Sequence, residues 1–453
     1  MPEKALKVLV LGYGSREHAL TWKLSQSPLV GQLYVAPGNA GTAEIATNVP
    51  ISDEDIPALV EFAVAEGIDL TVVGTNDPLA LGAADAFMAR GLRIFGPTQA
   101  AARLESSKAF AKEFMQAQGI PTPAFATFND YESAERYLDN LPSEKVVVKV
   151  SGLGRMGMGV TVCDSKEEAR AALYDYMVIR SLGEAAETVI IEERLSGPEL
   201  SVFALSDGET VVPLLPVRDH KRIFDGDRGP NTGGIGAYAP PPDVPAGLVE
   251  QVTETILRPV VRGMAEAGTP YVGVLFAGLM LTEQGVQVLE FNCRFGNPEA
   301  LVLLTQLESD FAELLLACIS GQLRPEMVRF HPGAAAAVVM TSPGYPKEGF
   351  PRGLPISGLD VAAEQPGIAL FHHGTRRLDG QLVTARGRVL AVTASAPDLP
   401  TALHRAYAGV SKIHFEGAHY RRDIGRNVIT PTTEMRQAQA DLMPGKQVQG
   451  KAL

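Results

Sequence analysis

The chain has 453 residues, 45% of them hydrophobic and 20% charged, a composition typical of a globular protein with room for two to four domains. Its formal net charge of −12 argues against a general nucleic-acid or anionic-membrane surface, so an anionic substrate must be met by a local cluster of cations. Three scattered cysteines and no apolar run of bilayer length predict a cytoplasmic protein without a disulfide framework, a metal knuckle or a membrane span.

The first 105 residues alternate between strand and helix patterns, which predicts a parallel sheet with helices on both faces. The strand at 8–11 runs into Gly12 and Gly14, and a helix opening behind them would aim backbone N–H groups at an anion. Glu17 stands where a GxGxxG turn needs its third glycine, and no acidic residue follows the second strand. A small phosphate-bearing substrate therefore fits this turn better than a dinucleotide, and a turn without a ligand is the alternative.

Two lysines stand out in the region that follows. Residues 106–123 show an amphipathic helical pattern with Lys108 in the first turn, where a cation opposes the helix dipole. Lys108 is therefore either a surface residue or a phosphate ligand. Lys149 lies inside the apolar strand 146–150, where a buried charge needs a partner.

A glycine-rich loop and two carboxylates come next. Gly152, Gly157 and Gly159 belong to a hairpin loop whose backbone could lie over nucleotide phosphates, although a flexible tip is the alternative. Glu192 ends a strand and Glu199 follows a turn. Both could hold an adenine amine and ribose hydroxyls, or they could be solvated charges.

Residues 218–240 are polar and rich in glycine, and we predict a long structureless segment with a functional role. Asp219 and Lys221 belong to its charged head. A turn-rich neck follows, comprising Asn231, Thr232 and Gly233.

The stretch at 271–299 predicts two strands joined by a turn at 283–285. Glu290 and Asn292 stand two apart on the second strand and so share one face, where a carboxylate and an amide oxygen suit Mg²⁺ held with nucleotide phosphates. Arg294 follows and can fork onto a carboxylate or a phosphate. A solvated hairpin end is the alternative.

Several further predictions concern other parts of the chain. Segment 77–91 is interpreted as one helix, and segment 399–413 as an amphipathic helix of a small α+β lobe. His372 and His373 are interpreted as packing or surface residues. The polar tail from Asn427 is predicted to be disordered.

Several long motifs, in order, resemble the phosphoribosylamine–glycine ligase (glycinamide ribonucleotide synthetase) family of ATP-grasp enzymes, over about 6–425. These motifs are GYGSREHAL, IFGPT, LESSKAFAKEFM, RDHKRIFDGDRGPNTGGIGAY, YVGVLFAGLML, LEFNCRFGNPE and HYRRDIG. The resemblance implies a multidomain α/β and α+β fold. Its parts would be an N-terminal parallel α/β sheet domain at 1–105, an ATP-grasp domain of two α+β lobes at 106–325 with a break near 195–200, and a small C-terminal α+β domain at 326–426.

The resemblance also implies a carbon–nitrogen ligase of purine biosynthesis that uses ATP and Mg²⁺ or Mn²⁺. Glycine would be phosphorylated on its carboxylate and then joined to 5-phosphoribosylamine. No nucleic-acid or membrane partner is expected, and the chain would be a monomer or weak homodimer. The implied roles are ATP binding by Lys108, Lys149, Gly152, Gly157, Gly159, Glu192 and Glu199, metal binding by Glu290 and Asn292, catalysis by Arg294, Asp219 and Lys221, and substrate binding by Gly12, Gly14, Arg16, Glu17, Asn231, Thr232 and Gly233.

The chain departs from the family pattern at several loop positions. Met158 stands where the glycine-rich loop usually has a lysine, Asn297 and Asn76 replace carboxylates, Ala300 replaces a hydroxyl, and Arg386 replaces a glycine. Two alternatives therefore stay open. One is a diverged ligase that joins another amine and carboxylate, and the other is a non-catalytic nucleotide-binding protein.

Overall fold

A computed structural model describes residues 5–154 and 159–429, and the structural statements below refer to these ranges. Gly157 and Met158 lie outside them, as does the tail from 430. No helix within the described ranges is both long and apolar enough to cross a membrane.

The N-terminal region is the predicted parallel sheet, with strand order β3-β2-β1-β4-β5. Its central strand LKVLVLG buries most of its side chains because helices cover both faces. The order in which strands are added reverses at β1, so the carboxyl ends of β1 and β4 border the crevice where such sheets bind ligands. The elements are β1 Leu6–Gly12, α1 Ser15–Leu24, β2 Val30–Pro37, β3 Thr47–Asn48, α2 Ile56–Glu66, β4 Leu70–Val73, α3 Asn76–Ala80, α4 Ala83–Ala89, β5 Ile94–Phe95 and α5 Gln99–Ser106.

The prediction of one helix at 77–91 is wrong, because the segment forms the two helices α3 and α4. The backbone of Gly82 is left-handed, with φ +80°, which interrupts the helical path. The N–H of Gly82 donates to the carbonyl oxygen of Leu79 and closes the first helix.

The region that follows, up to β15, contains two antiparallel four-stranded sheets. The first, in the order β6-β9-β7-β8, packs α7 and α8 over its own apolar core, and the second has the order β11-β10-β14-β15. The hairpin predicted at 271–299 is confirmed, since the last two strands pair antiparallel. The elements are α6 Lys108–Ala117, β6 Phe125–Phe128, α7 Tyr131–Asn140, β7 Val146–Val150, β8 Val160–Cys163, α8 Lys166–Tyr174, β9 Val189–Glu193, β10 Glu199–Asp207, β11 Val211–Pro213, β14 Val272–Thr282 and β15 Gly285–Asn292.

The polar segment at 218–240 is not structureless, contrary to the prediction. It forms the hairpin of β12 Arg218–Phe224 and β13 Arg228–Ala239, and β13 pairs with β16 Ala334–Thr341. The backbone groups thus find partners in a sheet that later residues complete, so the segment needs no apolar core of its own. The sheet has the order β12-β13-β16-β20-β17 and therefore draws strands from both sides of position 325.

A buried arginine holds the turn of this hairpin. Arg421 is fully buried and its guanidinium donates to the carbonyl oxygen of Arg222 and to the carboxylates of Asp227 and Asp423. The distal motif HYRRDIG thereby fixes the strand that carries Asp219 and Lys221.

The remaining strands include β17 and β20 of this sheet and the two-stranded β18–β19 hairpin. The last helix includes residues 427–429, so the prediction of disorder from Asn427 is wrong for them, and the tail from 430 lies outside the described residues. The elements are α9 Leu248–Val252, α10 Arg258–Glu266, α11 Glu299–Gln306, α12 Phe311–Ile319, α13 Leu359–Ala363, β17 Ile368–His372, β18 Thr375–Leu378, β19 Gln381–Thr384, β20 Arg388–Ala396, α14 Leu399–Val410 and α15 Arg426–Ile429.

Candidate active site

Glu290, near the end of β15, is surrounded by four cationic side chains. Burial opposes ionisation of its carboxylate, but nearby cations outweigh burial and hold the pKa of Glu290 below its usual value. An ionised carboxylate that is half buried at a strand end is a strong candidate for ligand binding. The cations that contribute are Lys221, Lys149, Lys108 and Arg294.

Asn292 shares this face, but its amide already has one partner. Its Oδ1 accepts a hydrogen bond from Arg294 Nη2 at 2.7 Å, while Nδ2 is buried without a hydrogen-bond partner among the described residues. Arg294 also pairs with Glu105 at 2.9 Å, and Glu105 accepts from the N–H of Cys293 at 2.7 Å.

One ionised carboxylate and one amide oxygen fit a divalent ion that takes its remaining ligands from phosphates and water. The described ranges contain no group of three or more His, Cys, Asp or Glu side chains that could hold a metal by themselves. The donor set of Glu290 and Asn292 therefore suits an ion that arrives with a nucleotide.

The partner that Lys149 needs is Glu192. The two side chains pair at 2.7 Å, and Lys112 approaches the other oxygen of Glu192 at 3.1 Å. Lys112 also donates to Thr122 Oγ1 at 2.7 Å, and Lys149 donates to the carbonyl oxygen of Leu289 at 3.2 Å. Glu192 is thus the shared anion of a buried Lys112–Glu192–Lys149 cluster, rather than a free carboxylate facing a nucleotide.

Lys108 and the glycine-rich loop lie beside this cluster. Lys108 Nζ donates to the carbonyl oxygen of Gly152 at 3.2 Å, and burial lowers the pKa of Lys108. A Cβ on Gly152 would lie 2.6 Å from the Cα of Ala185, and Gly159 has φ +96°, so both positions require glycine. Gly157, assigned to the same loop, lies outside the described residues.

The β12–β13 hairpin brings a second set of charges to the same region. Lys221 pairs with Glu199 at 2.6 Å. Burial raises the pKa of Asp219 to about 7; Lys221 opposes this shift, while Glu299 adds to it. Thr232 Oγ1 donates to the carbonyl oxygen of Lys221 at 2.8 Å and thereby fixes the neck of the hairpin.

The turn at 12–17 differs from the prediction that it cradles a phosphate. Glu17 is almost fully buried, and its Oε2 accepts from the N–H of Gly14 at 2.6 Å, so the protein's own carboxylate occupies the amino end of α1. Gly12 has φ +125°, and a Cβ there would lie 2.5 Å from Glu17 Cγ. Glu17 therefore has a capping role, and a substrate anion must find other donors.

Arg16 and the neighbouring Arg388 are candidate donors for such an anion. Arg16 pairs with Glu17 at 2.5 Å and donates to the carbonyl oxygen of Phe295 at 3.0 Å. Arg388 donates to the carbonyl oxygen of Gly233 and, at 2.9 Å, to that of Asn297, so its charge meets backbone oxygens. These contacts place cations where the N-terminal region meets the C-terminal sheet.

The two adjacent histidines have different environments. His372 is buried, stacks edge-on with His18 and contacts Thr375 Oγ1 at 2.9 Å, as expected for a packing residue. His373 instead joins a polar cluster with Ser15 and Asn297. The pattern of the sequence did not distinguish these two residues.

Other residues in the site were not among the sequence predictions. Lys112, Glu105 and Glu299 are all buried and lie against predicted residues. Lys112 follows Lys108 by one helical turn, and Glu299 belongs to the RFGNPE motif, so spacing and motif were available signals. Glu105, in the last turn of α5, belongs to the LESSKAFAKEFM motif, so a motif signal was available for it too.

Two antiparallel sheets enclosing lysines, a glycine-rich hairpin and an acidic strand end define this protein as an ATP-grasp protein. A biotin carboxylase domain from Hydrogenobacter thermophilus shares the fold at 19% identity, with a TM-score of 0.70 over 96% of each chain. The chain belongs to the phosphoribosylglycinamide synthetase family. Models of the family's N domain, ATP-grasp (A) domain and C domain match 6–105, 106–300 and 335–427.

Relatives over the whole chain agree with this family. A phosphoribosylamine–glycine ligase of Chlorobaculum tepidum is 45% identical over 94% of this chain and 100% of its own length. The trifunctional purine biosynthetic protein adenosine-3 of Gallus gallus is 48% identical over 95% of this chain, which spans only 43% of that protein. The crystal structure of a Thermotoga maritima phosphoribosylamine–glycine ligase has 34% identity and a TM-score of 0.80, and it covers 92% of this chain and 100% of its own.

Proposed function

We propose that the chain joins glycine to 5-phosphoribosylamine with ATP and Mg²⁺ or Mn²⁺, and releases glycinamide ribonucleotide, ADP and phosphate. The observation that carries the proposal is the ionised Glu290 among four cations, because triphosphate and a divalent ion complement such a face. The names of the whole-chain relatives supply the substrates. We also propose that the protein is cytoplasmic and that it is a monomer or a weak homodimer.

In the first step, an oxygen of the glycine carboxylate attacks the γ-phosphorus of ATP, the bond to the ADP oxygen breaks, and glycyl phosphate forms. Lys108 and Lys149 would hold the phosphates, with Gly152 and Gly159 lying close to them. A divalent ion on Glu290 and Asn292 would neutralise charge on the transferring phosphoryl group. Catalysis here requires positioning and electrostatics, without a side-chain nucleophile.

In the second step, the amine of phosphoribosylamine attacks the glycyl carbonyl carbon, the phosphate leaves, and the amine loses a proton. Arg294 and Asp219 would bind charged ends of the substrates. An ammonium group beside Asp219 would favour the ionised form of that carboxylate. Glu199 and Lys221 would position Asp219, and Asn231, Thr232 and Gly233 would border the substrates.

The arginines at the edge of the N-terminal sheet support a phosphate-bearing acceptor. Arg16 has one carboxylate partner, whereas Arg388 is held by backbone oxygens and Arg386 stacks on Tyr13. Net positive charge at the crevice next to β1 suits an anionic sugar phosphate.

A diverged ligase with another acceptor is the second candidate. Asn297 and Arg386, which replace a family carboxylate and glycine, both lie beside this crevice, and Asn297 hydrogen-bonds Ser15. Replacement of an anion by an amide and addition of a cation would change which acceptor groups are favoured.

The test is phosphate release from ATP by the purified chain with glycine and freshly generated phosphoribosylamine, and with each omitted in turn. Release that requires both substrates is the expected result. Release with glycine and a different amine would favour the diverged ligase. ATP binding without release under any of these conditions would contradict the ligase proposal.

A further inference from the structure

His373, in the turn after β17, is held by groups from two distant parts of the chain, Ser15 and Asn297. Its Nδ1 lies 3.3 Å from the backbone nitrogen of Ser15 and 3.3 Å from Asn297 Nδ2. The hydroxyl of Ser15 donates to Asn297 Oδ1 at 2.9 Å, which orients the amide with its nitrogen toward the imidazole.

This geometry fixes the tautomer of the imidazole. Two N–H donors point at Nδ1, so Nδ1 accepts and the ring proton belongs on Nε2. Nε2 makes no hydrogen bond to a residue within the described ranges, and the side chain of His373 is only partly buried. The ring therefore presents one N–H donor that the protein leaves available.

The charges around the ring keep it neutral and favour an anion. Burial and the guanidiniums of Arg388, Arg386 and Arg16 hold the pKa of His373 well below its usual value. The carboxylates near these guanidiniums are Glu17, which pairs with Arg16, and Glu299, which acts on Arg388.

The N–H of Ser15 at the start of α1 points at Nδ1 of the ring and holds it in place. A neutral donor among cations is complementary to a phosphate, whose oxygens accept several hydrogen bonds at once.

We propose that His373 is a further substrate-binding residue, which donates from Nε2 to the phosphate of the sugar acceptor beside Arg16, Arg386 and Arg388. This inference rests on the proposed function for the identity of the acceptor. Phosphate is preferred to the carboxylate of glycine as the occupant because the carboxylate must reach ATP beside Glu290 and Arg294. His373 instead contacts Ser15 at the start of α1 and the side-chain amide of Asn297 in the RFGNPE motif.

The test uses ribose 5-phosphate as the probe, because its binding can be measured without turnover. Calorimetry on the full chain should show about tenfold weaker binding to His373→Phe, which keeps a ring but loses the donor. His373→Gln keeps an N–H near the position of Nε2 and should recover most of the affinity. The exposed His331→Ala is the matched control and should bind like the unmodified chain.

ATP binding separates loss of a contact from loss of structure. The affinity for ATP should be the same in His373→Phe, His373→Gln and the unmodified chain, whereas loss of the Nδ1 acceptor should lower the thermal unfolding midpoint of the variants only slightly. Equal ribose 5-phosphate affinity in all three would overturn the inference, as would an unmodified chain that does not bind ribose 5-phosphate. The phosphate-release assay judges the proposed function separately, because it requires turnover with glycine.

Discussion

The proposed nucleotide side of the site, around Glu290 and Lys149, and the proposed acceptor side, around Arg16 and Arg388, handle positive charge differently. On the nucleotide side, Lys112 and Lys149 share the buried carboxylate of Glu192, and the three side chains are nearly inaccessible to solvent. On the acceptor side, Arg388 is held by backbone carbonyl oxygens, and Arg386 is exposed and stacks on Tyr13 with 3.7 Å between guanidinium carbon and ring centre.

The difference indicates which charges are structural and which remain available. A buried cation with a carboxylate partner keeps the protein stable but has less charge to offer a ligand. A guanidinium whose hydrogen bonds go to neutral backbone oxygens leaves more of its charge for a ligand anion. Substitutions on the two sides should therefore affect stability and substrate binding in opposite proportions.

The largest effect is expected from Glu290→Gln, which removes the carboxylate that is proposed to hold the divalent ion. Phosphate release should fall by about a thousandfold, because the charge that would hold a divalent ion is lost. Steady-state phosphate release measures this effect. Glu283→Gln, in the exposed turn of the same hairpin, is the control, and equal activity of the two variants would contradict a metal role for Glu290.

The next largest effect should come from Lys112→Met in the buried Lys112–Glu192–Lys149 cluster. Removal of Lys112 leaves Glu192 with Lys149 as its remaining ion-pair partner and removes the donor to Thr122 Oγ1, so the free energy of unfolding should fall by about 2 kcal/mol. Urea unfolding measures the loss, and Lys145→Met, at an exposed lysine, should change it little. Adding Glu192→Gln should lower the stability further, because the buried Lys149 then loses its carboxylate partner, and a restored stability in the double variant would contradict the shared role of Glu192.

The carboxyl group of Asp219 should make the stability of the protein depend on pH. Its pKa is raised to about 7 from 3.8, mainly by burial, so the folded state holds the proton more tightly than the unfolded state. Its contribution to stability is full below about pH 4 and is lost as the pH rises through 7, with a slope of at most about 1.4 kcal/mol per pH unit. Asp219→Asn should remove this slope in unfolding measurements without ligands, whereas Glu209→Gln, which is exposed, should keep it.

The smallest effect is expected from Arg386→Ala on the uncompensated side. Loss of an exposed cation–π contact should cost under about 1 kcal/mol of stability. Affinity for ribose 5-phosphate should fall several-fold, and the difference should shrink at high salt because the charge is exposed. Arg376→Ala is the matched control. An unchanged affinity for ribose 5-phosphate at low salt would contradict a role for Arg386 in binding the acceptor phosphate.

Local patterns predicted much of this arrangement. The alternating segments before residue 105 predicted the parallel sheet, and the apolar hairpin at 271–299 predicted where Glu290 and Asn292 lie. The strand of Lys149 predicted a buried cation that needs a partner, and Glu192 meets that need. Each of these depends on neighbours within a few residues, which periodicity and burial cost can reveal.

The hairpin β12–β13 shows the limit of local patterns. Its residues are polar and small, and they form strands because β16, about a hundred residues later, supplies the backbone partners. Similarly, the two histidines are adjacent in sequence, yet His372 packs against His18 while His373 meets Ser15 and Asn297.

The sequence alone therefore determined the parallel sheet before residue 105, the hairpin at 271–299 with its oxygen donors on β15, and the family resemblance. Only the tertiary structure decided which charges are neutralised within the protein. Glu17 caps α1 and pairs with Arg16, and Glu192 is shared by Lys112 and Lys149. The physical reason is that the ionisation and availability of a side chain depend on burial and on partners brought from distant positions, which a local pattern does not contain.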